Sequence, residues 1–476
     1  MGKNSNANTI YDIIVIGAGS GGLNVAGFMN AAGFSVLLVD KRDEAIGGDC
    51  LNYGCVPSKA LLHVAKRIRE GKSAERFGVS MEGTPDIVKI MEYIREKQNV
   101  IRKHENADYF RKQGMDVVLG NAVFSDTHTI DVDGHQYTGK KIVIATGSRP
   151  RSLHIPGLED VEHIHTNETI FSLKQQPSKL VVVGTGPIGV EIGQAFHAFG
   201  TDVTLVGPEF LNKEDPDISQ VLQSQLEGAG VHFVLNSKAS RVENGSILIA
   251  EDRQGNETKI PFDAMLVSIG RDVSVNNLQV ENAGIITDDR NHIVSNSRLQ
   301  TDNPDVFVCG DVVGGFMFTH AAELHAKLLI ENFFRPVFKK KLSTDAMAWV
   351  TYTDPEIATF GLREKDLRTR GIRYEVLVQD FEDDDRAIVD ETTYGKIKLF
   401  ISPKGIVLGG TMIAHNAGEL TQELMLAQAN TLGVDAFMKK VYPYPTASRI
   451  NRSTLFEFER RKLTHFAKKV LHWLYW

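Results

Sequence analysis

Two of the chain's three cysteines, Cys50 and Cys55, stand five residues apart in the stretch GGDCLNYGCVPSK, residues 47–59. Cysteines so placed are either small buried hydrophobes or a pair that opens and closes during redox turnover. In a regular helix, residues five apart are separated by about 7.5 Å of rise and face different directions. The Cα atoms of a disulfide must lie within about 7 Å. A Cys50–Cys55 bond therefore requires a broken first turn, which Leu51-Asn52-Tyr53-Gly54 with its glycine can supply. The following PSKALLHVAKRI has apolar residues at helical spacing. Both sulfurs would then sit at or near a helix N-terminus, where the macrodipole favours the thiolate. That arrangement suits a reactive pair. Cys309, inside the apolar VFVCGD, reads as packing.

The elements that must position such a pair are written nearby. YDIIVIGAGSGGLNVAGFMNAAGFSVLLVDK opens with an apolar run, Ile13–Ile16, as expected of a strand buried on both faces. Gly17, Gly19 and Gly22 follow at G-x-G-x-x-G spacing, with Ser20 inside the loop, and then a helical stretch. Such a loop turns tightly, brings backbone close to a pyrophosphate at the helix N-terminus, and lets helix and strand pack closely. The strand Val36–Val39 ends at Asp40, followed by Lys41, where an acid would accept hydrogen bonds from an adenosine ribose. The unit recurs in KLVVVGTGPIGVEIGQAFHAFGTDVTLVG. Here a strand over 180–183 leads into Gly184, Gly186, Pro187, Ile188 and Gly189, then a helix, then a strand over 203–206. Two such units predict two bound dinucleotides with electrons passing between them. At the ribose position the second unit has Gly207, which marks neither NADH nor NADPH. Glu209, Glu214, Asp215 and Asp217 would repel a 2′-phosphate against Lys213 alone, which favours NADH.

The 476 residues allow roughly three domains. With 42% apolar and 24% charged residues the composition is that of a globular protein, and a net charge of −7 argues against a general nucleic-acid binder. Three cysteines cannot form a secreted disulfide framework, and one functional pair suits a reducing compartment. The opening MGKNSNANTI lacks the apolar core of a signal peptide, and no apolar run approaches the length of a membrane span, so a cytoplasmic location is expected.

GGDCLNYGCVPSK resembles the active-site signature of the class I pyridine nucleotide–disulfide oxidoreductases, FAD-dependent dimers that include dihydrolipoamide dehydrogenase, glutathione reductase and mercuric reductase. IVIATGSRP (142–150) resembles the family's exit from the FAD domain, SIGRD (268–272) the end of its nicotinamide domain, and TDNPDVFVCGDV (301–312) its second flavin motif. The resemblance implies an α/β fold with two Rossmann-like dinucleotide-binding domains, for FAD and NAD(P), and a C-terminal α+β dimerisation domain. The implied limits are 1–150 and 275–345 for FAD, 151–274 for NAD(P), and 346–476 for dimerisation with a helical extension. It adds Gly48, Asp49, Lys59, Ala122, Thr146, Gly147, Ser148, Gly270, Arg271, Gly310 and Asp311 to the cofactor contacts, with Asp311 on the ribityl chain. It also implies that electrons pass from NAD(P)H through flavin to the disulfide. Cys55 would remain as a thiolate against the flavin, Cys50 would meet the acceptor, and Lys59 would pair with Glu191. No residue set is assigned to a resident metal.

Near the C-terminus, relatives acting on disulfides or dithiols carry an H-P-T-x-S-E-like stretch whose histidine is the acid/base, oriented by the glutamate. This chain reads VYPYPTASRIN at 441–451, with Tyr444 in the histidine position and Arg449 in that of the glutamate. Tyrosine, with an ordinary pKa near 10, is a poor base near neutrality. Mercuric reductase also has tyrosine in this region, but its C-terminal cysteine pair has no counterpart after Cys309. The expected partner is a small-molecule acceptor needing no general base: a quinone, a dye-like oxidant or a metal ion. The alternatives are a dihydrolipoyl dehydrogenase of a 2-oxoacid dehydrogenase complex and a non-catalytic interaction protein on the same fold. His415 reads as structural and DFEDDDRA (380–387) as a solvated loop. The final RRKLTHFAKKVLHWLYW sets Leu463, Phe466, Ala467, Val470, Leu471 and Leu474 opposite Arg461, Lys468 and Lys469, with Trp473, Tyr475 and Trp476 at its end. A helix packing on the dimer is the first reading, weak membrane-surface contact the second.

Overall fold

A computed structural model describes residues 9–475. Residues 1–8 and Trp476, on which part of the terminal readings rest, lie outside the described residues. The described residues form two compact units, one of residues 9–184, 195–206 and 237–342, the other of residues 185–194, 207–236 and 343–475.

In the first unit Ile13–Ile16 is buried along its whole length, as four consecutive apolar residues require. It is the middle strand of a five-stranded parallel sheet ordered Val306–Val308, Ile142–Ile144, Ile13–Ile16, Val36–Asp40, Asp116–Leu119. The register pairs Ile16 with both Val39 and Ile144, and Val308 with Ile144. The carboxyl ends of these strands therefore share one edge, where open α/β sheets bind ligands. The segments leaving that edge are the glycine loop, Asp40-Lys41, Ala145–Ser148 and Cys309–Asp311. Motifs up to about 300 residues apart in the chain are thus neighbours. A second parallel sheet in this unit orders Ile164–His165, Ala264–Val267, Lys179–Val183 and Asp202–Val206. The strands read as 180–183 and 203–206 each begin one residue earlier.

The second unit is built on a five-stranded antiparallel sheet ordered Ala348–Thr351, Glu356–Gly361, Val407–Ala414, Lys396–Ile401, Glu375–Asp380. Phe360, Ile397, Leu399 and Met412 from its strands form a core with Leu424, Ile450, Leu455 and Phe458 from helices. The acidic run is not a loop throughout. Asp384 accepts the Ala387 N–H and caps a helix over Asp385–Asp390, so part of its charge serves a helix N-terminus.

Candidate active site

The two cysteines lie on either side of a helix break. Cys50 is in the short helix Gly48–Asn52, Tyr53 and Gly54 interrupt it, and Cys55 opens the nineteen-residue helix Cys55–Ser73. This is the distorted turn that the spacing requires. Cys55 lies 3.4 Å from the hydroxyl of Thr319, the first residue of the helix Thr319–Phe333. The Cys50 thiol donates to the Cys55 sulfur and is the main reason that Cys55 is held down to about 6; Thr319 and the charge of Lys59 act in the same direction, against burial and Asp49. The bond to Cys55 and burial push the Cys50 thiol up. These effects favour the thiolate on Cys55 over Cys50. Cys55 is exposed and Cys50 half-buried. The short helix turns Leu51 and Asn52 inward beside Cys50, whereas Cys55 stands at the open first turn of its own helix. Cys309 is packing, as read. It is buried, its thiol is pushed up to about 12 by that burial, and it lies 3.6 Å from the Ala322 carbonyl.

Thr319 was missed from the sequence, where a threonine opening an Ala-rich helix carries no sign of a sulfur partner. In the reduced protein, ultraviolet thiolate absorbance is expected to rise through about pH 6, below an ordinary thiol near 8.5. Thr319→Val removes a donor to the charged form, so the rise should move to higher pH, while Thr319→Ser should leave it in place. A wild-type titration centred above pH 8 would contradict this assignment.

Four of the quoted motifs meet at Arg271. Its guanidinium lies 3.1 Å from Asp49, donates to the Ser148 hydroxyl at 2.7 Å and to the Ser148 carbonyl at 3.1 Å, and is 3.9 Å from Asp311. Ser148 in turn donates to Asp311 at 2.5 Å. Burial pushes the Asp311 carboxyl up, against the Ser148 bond and the Arg271 charge. Asn167 adds a bond to Asp49 at 3.3 Å. The strand Arg271–Val273 pairs with Ser148–Pro150, so Arg271 belongs to the Ser148–Asp311 cluster.

The residues present fit a dinucleotide at the edge of the first sheet. A Cβ on Gly17 would stand 2.3 Å from the Ala145 carbonyl oxygen, and one on Gly22 would stand 1.9 Å from that of Gly17. Ser20 opens the helix after the loop, and Gly48 lies against Gly19. Asp40 is held by the Ala18 and Lys41 N–H groups, each at 2.7 Å, and burial raises its carboxyl. These N–H groups do not exhaust the carboxylate's lone pairs, so it can still accept from a ribose hydroxyl. Gly120 donates to the Asp40 carbonyl, two residues before Ala122, which is buried at the start of the strand Ala122–Phe124. Thr146 donates to the Ser274 carbonyl at 2.6 Å, Gly147 takes a positive φ, and the Gly310 N–H meets His325 Nδ1 at 3.2 Å.

In the second dinucleotide unit, Gly184, Gly186 and Gly189 lie between the strand Lys179–Val183 and the helix Pro187–Ala198, which starts at Pro187 and Ile188. A Cβ on Gly207 would lie 2.4 Å from the Thr185 hydroxyl, which donates to the Glu209 carbonyl at 2.6 Å. Thr185 occupies the space that an acid at 207 would need. Three of the four acids expected to face a 2′-phosphate are engaged elsewhere. Buried Glu214 accepts from Trp349 Nε1 at 2.6 Å and the Thr359 hydroxyl at 2.5 Å, and Lys398 lies 3.1 Å from Asp215 and 3.4 Å from Asp217. Exposed Glu209 remains, with Lys213. Glu191 is buried and accepts the Tyr352 N–H at 2.8 Å.

Tyr444 is exposed. Its hydroxyl donates to Asp385 at 3.3 Å, and the Arg449 guanidinium lies 5.3 Å from its ring centroid. His415 Nδ1 lies 3.5 Å from Asp354. Among the described residues, no group of three or more His, Cys, Asp or Glu side chains could hold a metal ion.

A family model described as pyridine nucleotide-disulphide oxidoreductase matches residues 11–326, and one for the dimerisation domain of that family matches 347–453. A mercuric reductase of Staphylococcus aureus is 30% identical over 92% of this chain and 80% of its own length. A dihydrolipoyl dehydrogenase of Mycoplasma genitalium is 31% identical over 92% of this chain and 96% of its own. Among solved structures, a Cu(II) complex of the HOCl-induced flavoprotein disulfide reductase RclA from Escherichia coli is similar, with a TM-score of 0.82 at 25% identity. That likeness covers 94% of this chain and 99% of the other.

Proposed function

The chain belongs to the pyridine nucleotide-disulphide oxidoreductases, and from that premise we propose that it passes electrons from NADH through Cys50 and Cys55 to an acceptor that needs no general base, with a thiol-seeking metal ion first and a quinone second. It is an enzyme, FAD-dependent with NAD(P)H as electron donor, and its dimerisation domain makes it a homodimer. When bound, FAD supplies the two-electron carrier between the nicotinamide and the cysteines. The observation that carries the acceptor class is Tyr444 beside Arg449, where dithiol-active relatives place histidine and glutamate. Without an imidazole, proton shuttling at each thiol exchange is slow, whereas a metal ion needs only sulfur ligands and electrons. Oxidation of the dithiol to the disulfide releases two electrons and two protons, enough for one Hg(II) or two Cu(II). The mercuric reductases and the Cu(II) complex among the relatives favour this class.

The domain limits 1–150, 151–274, 275–345 and 346–476 belong to the proposal, supported by three five-stranded sheets whose strands each fall within one expected domain, while the ribbon of Ser148–Pro150 with Arg271–Val273 ties the ends of the first two segments. So do the pairing of Lys59 with Glu191 and a cytoplasmic location. No helix of the described residues is long and apolar enough to cross a membrane. To test the acceptor class, FAD-loaded protein would be assayed with NADH or NADPH against Cu(II), Hg(II), a soluble quinone, lipoamide and glutathione disulfide. Turnover confined to the last two would overturn it.

NADH preference is proposed on the exposed carboxylate of Glu209. Glu209→Gln is expected to tighten NADP⁺ on the order of tenfold by removing one repulsive charge near the 2′-phosphate, with little change for NAD⁺. Calorimetry with both nucleotides checks this, and equal effects on the two would remove Glu209 from the recognition.

A further inference from the structure

The last helix, His465–Tyr475, is a separate element. The preceding helix, Arg449–Arg461, buries Ile450, Leu455 and Phe458, but no residue of His465–Tyr475 is buried. Thr464 starts it afresh, its hydroxyl accepting the Ala467 N–H at 3.2 Å and its carbonyl the Lys468 N–H at 2.9 Å. An isolated helix shorter than about 12–15 residues is marginal in water, so a surface that binds its apolar face would stabilise it.

Its two faces identify that surface. Phe466, Val470, Trp473 and Leu474 project on one side and are exposed, Phe466 by 76% and Trp473 by 81%. His465, Lys468, Lys469 and His472 occupy the other side, and neither lysine meets a carboxylate among the described residues. No acidic residue follows Glu459. The helix also lies beyond residue 453, where the match to the dimerisation domain ends. An apolar face with large aromatic residues and a polar face bearing only bases is the pattern of a helix lying in a lipid headgroup region.

We propose that His465–Tyr475 docks the enzyme on an anionic bilayer surface, with its apolar face in the headgroup boundary and Lys468 and Lys469 against the lipid charge. The rest of the chain carries the net negative charge, so the attraction is local to this helix. The proposal is independent of the acceptor. Its test uses the FAD-loaded full chain with vesicles of phosphatidylcholine alone or with about 30% phosphatidylglycerol. Trp473 and Trp476 are two of the chain's three tryptophans and Trp349 is buried, so a blue shift of fluorescence reports this tail. The expected result is co-sedimentation and a blue shift with the anionic vesicles, and release by high salt. Lys468→Glu with Lys469→Glu should weaken binding at least about tenfold. A chain ending at Glu459 should remain dimeric and stay in the supernatant. Absence of wild-type binding to the anionic vesicles, binding unchanged by the charge reversal, or loss of the dimer on truncation would overturn the proposal. The last of these would return the helix to dimer packing.

Discussion

Replacing Cys50 or Cys55 with serine is expected to leave a folded, FAD-binding protein whose acceptor reduction falls by on the order of 10⁴-fold, with the double substitution costing no more than either single one. Two sulfurs that must bond to each other act as a unit, and such residues are strongly non-additive. The variants should nonetheless differ in spectrum. In the wild type, two-electron reduction of the disulfide should leave the Cys55 thiolate and a long-wavelength absorbance band with oxidised flavin. Cys50→Ser, which has no disulfide to take up electrons, should show the band before reduction, and Cys55→Ser should show it in neither state. The asymmetry follows from the thiolate being favoured on Cys55, first by the hydrogen bond from residue 50, which a serine hydroxyl can also donate, and then by Thr319, Lys59 and the helix N-terminus. A band that survives Cys55→Ser would reverse the roles of the two sulfurs. Additive losses would mean that each cysteine contributes separately.

The second large effect is a gain. Tyr444→His combined with Arg449→Glu is expected to raise dihydrolipoamide oxidation by about 10²–10⁴-fold, the range of general acid–base assistance. Each substitution alone should do much less. With Arg449 retained, a guanidinium near residue 444 disfavours imidazolium; with Tyr444 retained, the glutamate has no imidazole to orient. Tyr444 is exposed, so the exchange carries little folding cost and a null result would be informative. Steady-state kinetics with dihydrolipoamide decide the matter. Vigorous wild-type oxidation would show that another group already serves as the base.

Local features of the fold were legible in the sequence. Ile13–Ile16 and the glycine loop after it form a local strand–turn–helix, and residues 47–59 carry their own helix break. Contacts that depend on distant segments were not legible. Thr319 reaches Cys55 across 264 positions, and no spacing rule links them. The acids after Gly207 looked alike in sequence, yet Trp349, Thr359 and Lys398 claim three of them. The acidic run looked solvated because its charge is visible in sequence, whereas the cap that Asp384 makes depends on backbone geometry.

The cluster around Arg271 has a consequence for motion. One guanidinium and the serine beside it tie together Asp49, Ser148, Asp311 and the strand Arg271–Val273. Segments held in common cannot fray one at a time. In native-state hydrogen exchange their amides should behave as a single cooperative opening, with one free energy shared by stretches scattered along the chain. The cysteine turn begins one residue after Asp49, so its slow breathing would be governed by that same opening and not by the local stability of its short helix.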